Sequence, residues 1–350
     1  MNPFIAFLKL VRFPNLLIIA FTQYMVRYCL IYPLMKGTEL TLGSYCLSLP
    51  VEGMSLLMNN LDFFLLSLST VLIAAAGYII NDYFDVKIDR INKPDQMVID
   101  RGIKRRVAMG AHIVLNSLAF LIGIVLSWKY DFVYPGTFIF GISIILLWFY
   151  STNFKRMLLI GNLTVAFLTG MVPVLVALFE LKLQLHTYSR CFVLAKTDLI
   201  PVFDKIFVFA GFAFLMTLLR EIIKDIEDYE GDSELGCTTL AVTLGVNRSA
   251  KLVAMLSLII MFFLGLIQMK HLEHTPGTSP DMKSFWYFTL ALQLPLLLLV
   301  VRLFTAGEKK HFTFAGGLTK VVMLSGICYL FLYRHLVLEQ VEFFKTLLEQ

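Results

Sequence analysis

Six aspartates in two groups of three carry the chemistry most legible in this chain. Asp82, Asp85 and Asp89 follow Asn81 directly after the apolar run Leu72 to Ile80, and Asp225, Asp228 and Asp232 close a second apolar run after Arg220-Glu221-Ile222-Ile223-Lys224. Both sets are spaced i, i+3, i+7, which on a helix of 3.6 residues per turn puts three carboxylates within about 60° of one another. Like charges gathered on one face repel, so each set needs a cationic partner. Hard carboxylate oxygens suit Mg²⁺, an ion that keeps several waters and is commonly shared with substrate phosphates. Two such helix ends facing one another would hold a diphosphate between metal ions. Acidic helix ends are often just solvated charges, and Asp89 with Arg90 or Asp225 with Lys224 could be simple surface pairs. The same spacing at two equivalent span ends, 143 residues apart, argues against that reading.

Basic residues beside these ends would contact the anion and offset leaving-group charge. Lys155 and Arg156 end the fourth apolar stretch, Arg220 and Lys224 lie within the second motif, and Arg90 and Lys93 follow the first. Asn81, Lys155, Arg156, Arg220 and Lys224 are therefore expected to bind diphosphate, with Lys155 foremost. Asp82, Asp85, Asp225 and Asp228 are expected to be catalytic through the metal, and Asp89 and Asp232 to complete its ligands. Arg101, Lys104, Arg105 and Arg106 read instead as charges that orient the chain in a bilayer.

The elements that must position these groups are set by composition. The 350 residues are 58% hydrophobic and only 16% charged, with a mean hydropathy of +0.77, against about 25% charged in an ordinary soluble domain. Nine stretches, approximately 13–35, 62–84, 104–128, 133–150, 157–180, 201–222, 249–269, 285–305 and 318–338, approach the ~20 apolar residues that cross a bilayer as a helix. They are continuously apolar and lack the period-two alternation of a membrane barrel. The fold class expected is an all-α polytopic membrane protein of one domain, residues 1–350, whose two Asp-motif halves look like a diverged duplication. Segments 36–61 and 180–200 read as outer-side loops with room for short interfacial helices. The first apolar segment carries no cleavage signature and should stay as an anchor.

If alternate loops share a side, 19 of the 30 Lys and Arg residues fall on the side of the N-terminus and the Asp motifs, which should be cytoplasmic. The membrane expected is the cell (inner) membrane. A net charge of +5 that sits mostly in a few loops does not make a nucleic-acid surface. Cys29, Cys46, Cys191, Cys237 and Cys328 show no paired spacing and read as small apolar fillers. His271 and His274, although spaced HxxH, fall in an outer loop away from the acids, and His112 reads as a packing or lining residue.

These residues resemble the UbiA superfamily of intramembrane prenyltransferases over nearly the whole chain. The likeness rests on Arg12-Phe13-Pro14-Asn15, the pattern NDxxDxxxD at 81–89 with Asn92-Lys93-Pro94 after it, DxxDxxxD at 225–232, and Thr238-Thr239-Leu240 leading to Gly245. The second motif is most similar to the branch that joins a geranylgeranyl group to a glycerol-phosphate ether lipid. Where relatives carry Tyr and Lys close together at the end of the fourth helix, Tyr150 and Lys155 are five apart here, and Asp95-Gln96-Met97 stands where Asp-Arg-Pro is common.

The resemblance implies nine helices around a central cavity with the Asp motifs at its cytoplasmic mouth. It also implies Mg²⁺-dependent transfer of a prenyl group from an isoprenoid diphosphate to a lipid-soluble acceptor. Prenylation of an aromatic quinone precursor is the alternative within that chemistry. A cation-coupled membrane transporter is the alternative outside it, and would place its acids near mid-membrane.

Overall fold

A computed structural model describes residues 2–43, 54–92, 95, 97–196, 198–272 and 281–348. Cys46, Lys93, Pro94, Gln96 and His274 lie outside them, as does the side chain of His271. Among the described residues nine helices are long and apolar enough to cross a membrane, matching the nine stretches expected from sequence.

Helix α1 (Pro3–Leu10) begins on the Asn2 side chain, which accepts the Phe4 backbone N–H at 2.9 Å, with Pro3 as its first residue. Proline suits that position because its missing N–H would have no partner there. The chain then turns at Arg12, whose backbone is left-handed (φ 51°, ψ 54°), into α2 (Phe13–Met25). A π-helical turn over Val26–Ile31 leads from α2 into α3 (Tyr32–Gly43). The first span thus runs on as helix through the start of the segment read as an outer loop, whose Lys36–Glu39 ion pair supports one more turn.

Helix α4 (Asn60–Asn92) has 33 residues, about 50 Å of helix against a hydrocarbon core of roughly 30 Å, so its last turns must project beyond the core. Then follow α5 (Arg105–Lys129), α6 (Val133–Thr152), a 3₁₀ turn at Phe154–Arg156, α7 (Ile160–Thr187), α8 (Ser189–Leu194), α9 (Ile200–Glu227), α10 (Tyr229–Glu234) and α11 (Leu240–Leu244). The chain closes with α12 (Val246–Leu272), α13 (Met282–Tyr287), a second π turn, α14 (Leu294–Phe304) and α15 (Lys309–Leu348). Many large apolar side chains face outward, among them Trp128, Tyr134, Phe262 and Leu290, as they do when lipid is the solvent.

At the end of the molecule opposite the Asp motifs lies a polar plug that the sequence does not announce. Arg27 and Glu180, each 1% exposed, pair at 3.4 Å. The Glu180 carboxylate accepts the Leu57 and Met58 backbone N–H groups, and the Arg27 guanidinium lies 4.4 Å from the Phe63 ring centroid. Arg27, counted from sequence among outer-side charges, is buried with Glu180 as its counter-charge. One cysteine departs from expectation: Cys191 on α8 is disulfide-bonded, to a partner outside the described residues, while Cys29, Cys237 and Cys328 are free. Sequence spacing gave no hint of this pairing.

Candidate functional site

The first Asp triad behaves as its spacing predicts. Helix α4 is unbroken through Asn92, so Asp82, Asp85 and Asp89 share one face over its last turns. Asp82 accepts from the Arg12 guanidinium at 2.9 Å, and that guanidinium lies 5.0 Å from the Tyr78 ring centroid. Asn15 donates to the Tyr78 hydroxyl at 3.3 Å. The left-handed backbone at Arg12, uncommon for a residue with a side chain, lets α1 fold back while α2 starts, and aims the guanidinium at the triad. Asp85 is paired with Lys155. Asp89 lies beside Asp82 in a shallow pocket closed by Val98 and Ile99.

The second triad departs from the expectation of one helical face. Helix α9 ends at Glu227, Asp228 takes a non-helical backbone (φ −93°, ψ 10°), and α10 starts again at Tyr229. Asn92, the last residue of α4, occupies the break: its amide donates to the Asp228 carbonyl at 3.2 Å and accepts the Gly231 N–H at 3.0 Å. A Cβ on Gly231 would lie 2.6 Å from the Asn92 amide nitrogen, so only glycine permits this approach. The break turns Asp232, 9% exposed, inward. Burial, and then the neighbouring Asp228 carboxylate, push its carboxyl up to about 6. Asp225 accepts from Asn162 at 2.8 Å.

Lys155 and Arg156 are placed beyond the fourth span, on the 3₁₀ turn between α6 and α7, and not at the end of the helix itself. The first turn of α7 passes so closely that a Cβ on Gly161 would lie 2.7 Å from the Lys155 Cα. On its other side the Arg156 carbonyl accepts from both the backbone N–H and the hydroxyl of Thr238, at 2.8 and 2.9 Å. So fixed, Lys155 touches Asp85 of the first triad and is within electrostatic reach of Asp232 of the second, with Lys224 and Arg156 as its cationic neighbours. It is the group that joins the two motifs. The Arg156 side chain is exposed.

Beneath this polar end lies a cavity of about 280 Å³ enclosed by α2, α4, α6, α7, α9 and α15. Arg12, Asn15, Asn81, Tyr150, Arg220, Glu221, Lys224 and Lys320 supply its polar wall, while Ile73, Leu147, Leu168 and Met323 are among its apolar ones. Sequence reasoning placed Asn81, Arg220 and Lys224 here; it did not assign site roles to Arg12, Asn15, Asn92, Tyr150, Asn162, Glu221 or Lys320. Arg12, Asn92 and Glu221 were visible as parts of family-like motifs, whereas Lys320 carried no signal beyond being a charge in an apolar run. Of the aromatics, Tyr78 and Phe140 line the cavity, and Phe84 and Trp148 pack edge to face at 5.9 Å.

The residues fit a shared metal better than a caged one. Among the described residues no three His, Cys, Asp or Glu side chains converge to enclose a metal ion unaided. Mg²⁺ commonly takes only one or two carboxylates and completes its octahedron with water and substrate phosphate. The carboxamide oxygen of Asn81 is buried without a hydrogen-bond partner, an acceptor suited to a cation or a hydrated ligand.

Comparison with known proteins identifies the family and the fold. The UbiA prenyltransferase family matches residues 40–312. A digeranylgeranylglyceryl phosphate synthase of Methanothermobacter thermautotrophicus is 34% identical over 255 residues, covering 72% of this chain and 75% of that protein. Enzymes of the same name from Saccharolobus solfataricus and Pyrococcus horikoshii are 38% and 34% identical, over 63% and 54% of their lengths; matches thus span from about half to three quarters of these relatives. Among solved structures, one from work on digeranylgeranylglyceryl phosphate synthase in membranes superposes with a TM-score of 0.57 at 19% identity, covering 95% of this chain and 99% of that one. An apo UbiA homologue from Aeropyrum pernix superposes with a TM-score of 0.56 at 13% identity, over 87% and 96% of the two chains.

Proposed function

Because the chain belongs to the UbiA prenyltransferase family, we propose that it transfers a geranylgeranyl group from its diphosphate to a glycerol-phosphate ether lipid. The bond from the first prenyl carbon to the diphosphate oxygen breaks. A bond from that carbon to an acceptor hydroxyl oxygen forms, diphosphate departs, and the hydroxyl proton goes to solvent. The observation that carries this reading is Lys155, set between two carboxylate triads at the polar end of a largely apolar cavity.

Asp82, Asp85 and Asp89 on one side and Asp225, Asp228 and Asp232 on the other would hold Mg²⁺. When bound, the ion neutralises diphosphate charge and makes it a better leaving group. Lys155, Arg156 and Lys224 bind diphosphate oxygens and stabilise the charge that builds on them. Asn162 orients Asp225, and Arg12 orients Asp82. The apolar wall excludes water from the prenyl carbon, and Tyr78 and Phe140 are among the side chains that line it. The chain is an integral multi-pass membrane protein. A cytoplasmic location of the Asp motifs, in the cell membrane, is supported by the basic excess on that side. The Cys191 disulfide at the other end suits an oxidising compartment. The transporter alternative has little support, because the paired acids sit at one end of the spans beside phosphate-binding bases.

The test offers purified protein radiolabelled geranylgeranyl diphosphate with Mg²⁺ and either geranylgeranylglyceryl phosphate or an aromatic acid. Labelled diether lipid phosphate is expected; an aromatic product alone would move the chain to the quinone branch.

A further inference from the structure

Four basic side chains line the cavity wall, Arg12, Arg220, Lys224 and Lys320, against one acid, Glu221. Arg12 is held by Asp82 and Arg220 by Glu221, but Lys320 makes no ion pair among the described residues. A lysine within a membrane-spanning helix is costly unless it meets water or an anion, and Lys320 is not explained by the diphosphate site. Lys155 is paired with Asp85 and is also acted on by Lys224, Arg156, Asp232 and Asp82. Lys320 is within electrostatic reach of Arg220, Glu227, Arg12 and Glu221. The two groups adjoin, since Arg12 is bonded to Asp82; what distinguishes Lys320 is its depth along the spans.

Helix register fixes that depth. The Thr313 hydroxyl of α15 donates to Glu227 of α9 at 3.0 Å, and a Cβ on Gly316 would lie 3.9 Å from Ile223, so the two helices run antiparallel. Lys320 is seven residues past Thr313 and Arg220 seven before Glu227, which puts both at one level, about 10 Å deeper than the Thr313 bond at 1.5 Å per residue. Asp225 lies about 7 to 8 Å above that level by the same measure. A lipid acceptor that carries a phosphate near its reacting hydroxyl needs a second anion site at this kind of separation from the diphosphate.

Resting on the proposed lipid acceptor, we propose that Lys320, with Arg220 beside it, forms a subsite for the acceptor's phosphate monoester, separate from the donor diphosphate site. Lys320 places the acceptor so that its free hydroxyl lies between the two anions and next to the prenyl carbon. The subsite selects phosphorylated over unphosphorylated glyceryl ethers.

The experiment uses purified full-length wild type, Lys320→Ala and Lys320→Arg with geranylgeranyl diphosphate, Mg²⁺, and either geranylgeranylglyceryl phosphate or its dephosphorylated form. Lys320→Ala should raise the KM for the phosphorylated acceptor about tenfold or more, the scale of one charged hydrogen bond. It should leave the donor KM within about twofold, an unchanged donor site also showing that the variant folds, and Lys320→Arg should keep most of the selectivity. Unaltered preference for the phosphorylated acceptor in Lys320→Ala, or a rise in donor KM instead, overturns the subsite. Failure of the wild type to use either lipid would overturn the lipid reading itself, a distinct result.

Discussion

Asp82, Asp85 and Asp89 hang from one uninterrupted helix, whereas Asp225, Asp228 and Asp232 straddle a break at Asp228, although the spacing in sequence is the same. The first triad is therefore ordered by α4 itself, a helix long enough to carry all three carboxylates beyond the apolar core. The second is ordered by a foreign side chain, Asn92, which fills the break and ties it to the end of α4. A repeated sequence pattern thus acquires two mechanical characters: one rigid in its own right, the other rigid only while the clasp holds.

The largest effect should follow from removing a carboxylate of either triad. Asp85→Ala and Asp228→Ala should each lower turnover by roughly 10²–10³-fold or more, measured by labelled prenyl transfer at saturating Mg²⁺. Equal losses in the two variants would show that the motifs act as one site; activity surviving in either would break the comparison. Lys155→Ala, which removes the joining group, should cost about 10²-fold, with Lys155→Arg recovering part of it.

The clasp should matter less and in a distinctive way. Asn92→Ala removes two hydrogen bonds, so the Mg²⁺ concentration for half-maximal activity should rise about 10- to 100-fold, the range for outer-shell support of metal ligands, while Gly231→Ala should mimic it through the steric clash. If Asn92→Ala leaves the Mg²⁺ requirement unchanged, the second triad is held by its own helix after all. The smallest effect concerns pH. Asp232, raised to about 6 in the metal-free protein, carries a proton below that value and must release it to bind metal. Mg²⁺ affinity should thus approach its full value about one unit above pH 6 and fall by up to about tenfold per unit below it, and Asp232→Asn should flatten that part of the profile.

Much of this architecture was legible in the sequence, for identifiable reasons. All nine spans could be located because lipid demands ~20 consecutive apolar residues wherever a helix crosses. The six aspartates stood out because carboxylates are so rare at such places. What could not be read depends on contacts between distant segments. The break at Asp228 exists because Asn92 reaches it across 136 residues. The Arg27–Glu180 plug depends on Leu57 and Met58, which donate to the carboxylate from far along the chain. Lys155 was assigned by type and place, yet its position between the triads is set by Gly161 and Thr238, neither of which advertises that role.

The most direct test of the central claim is an Mg²⁺ titration of geranylgeranyl transfer to geranylgeranylglyceryl phosphate by purified wild type beside Asp85→Ala and Asp228→Ala. Two triads sharing one metal-diphosphate predict transfer that requires Mg²⁺ and is lost in both variants with folding intact. Transfer that persists without divalent cations, or in either variant, would contradict it.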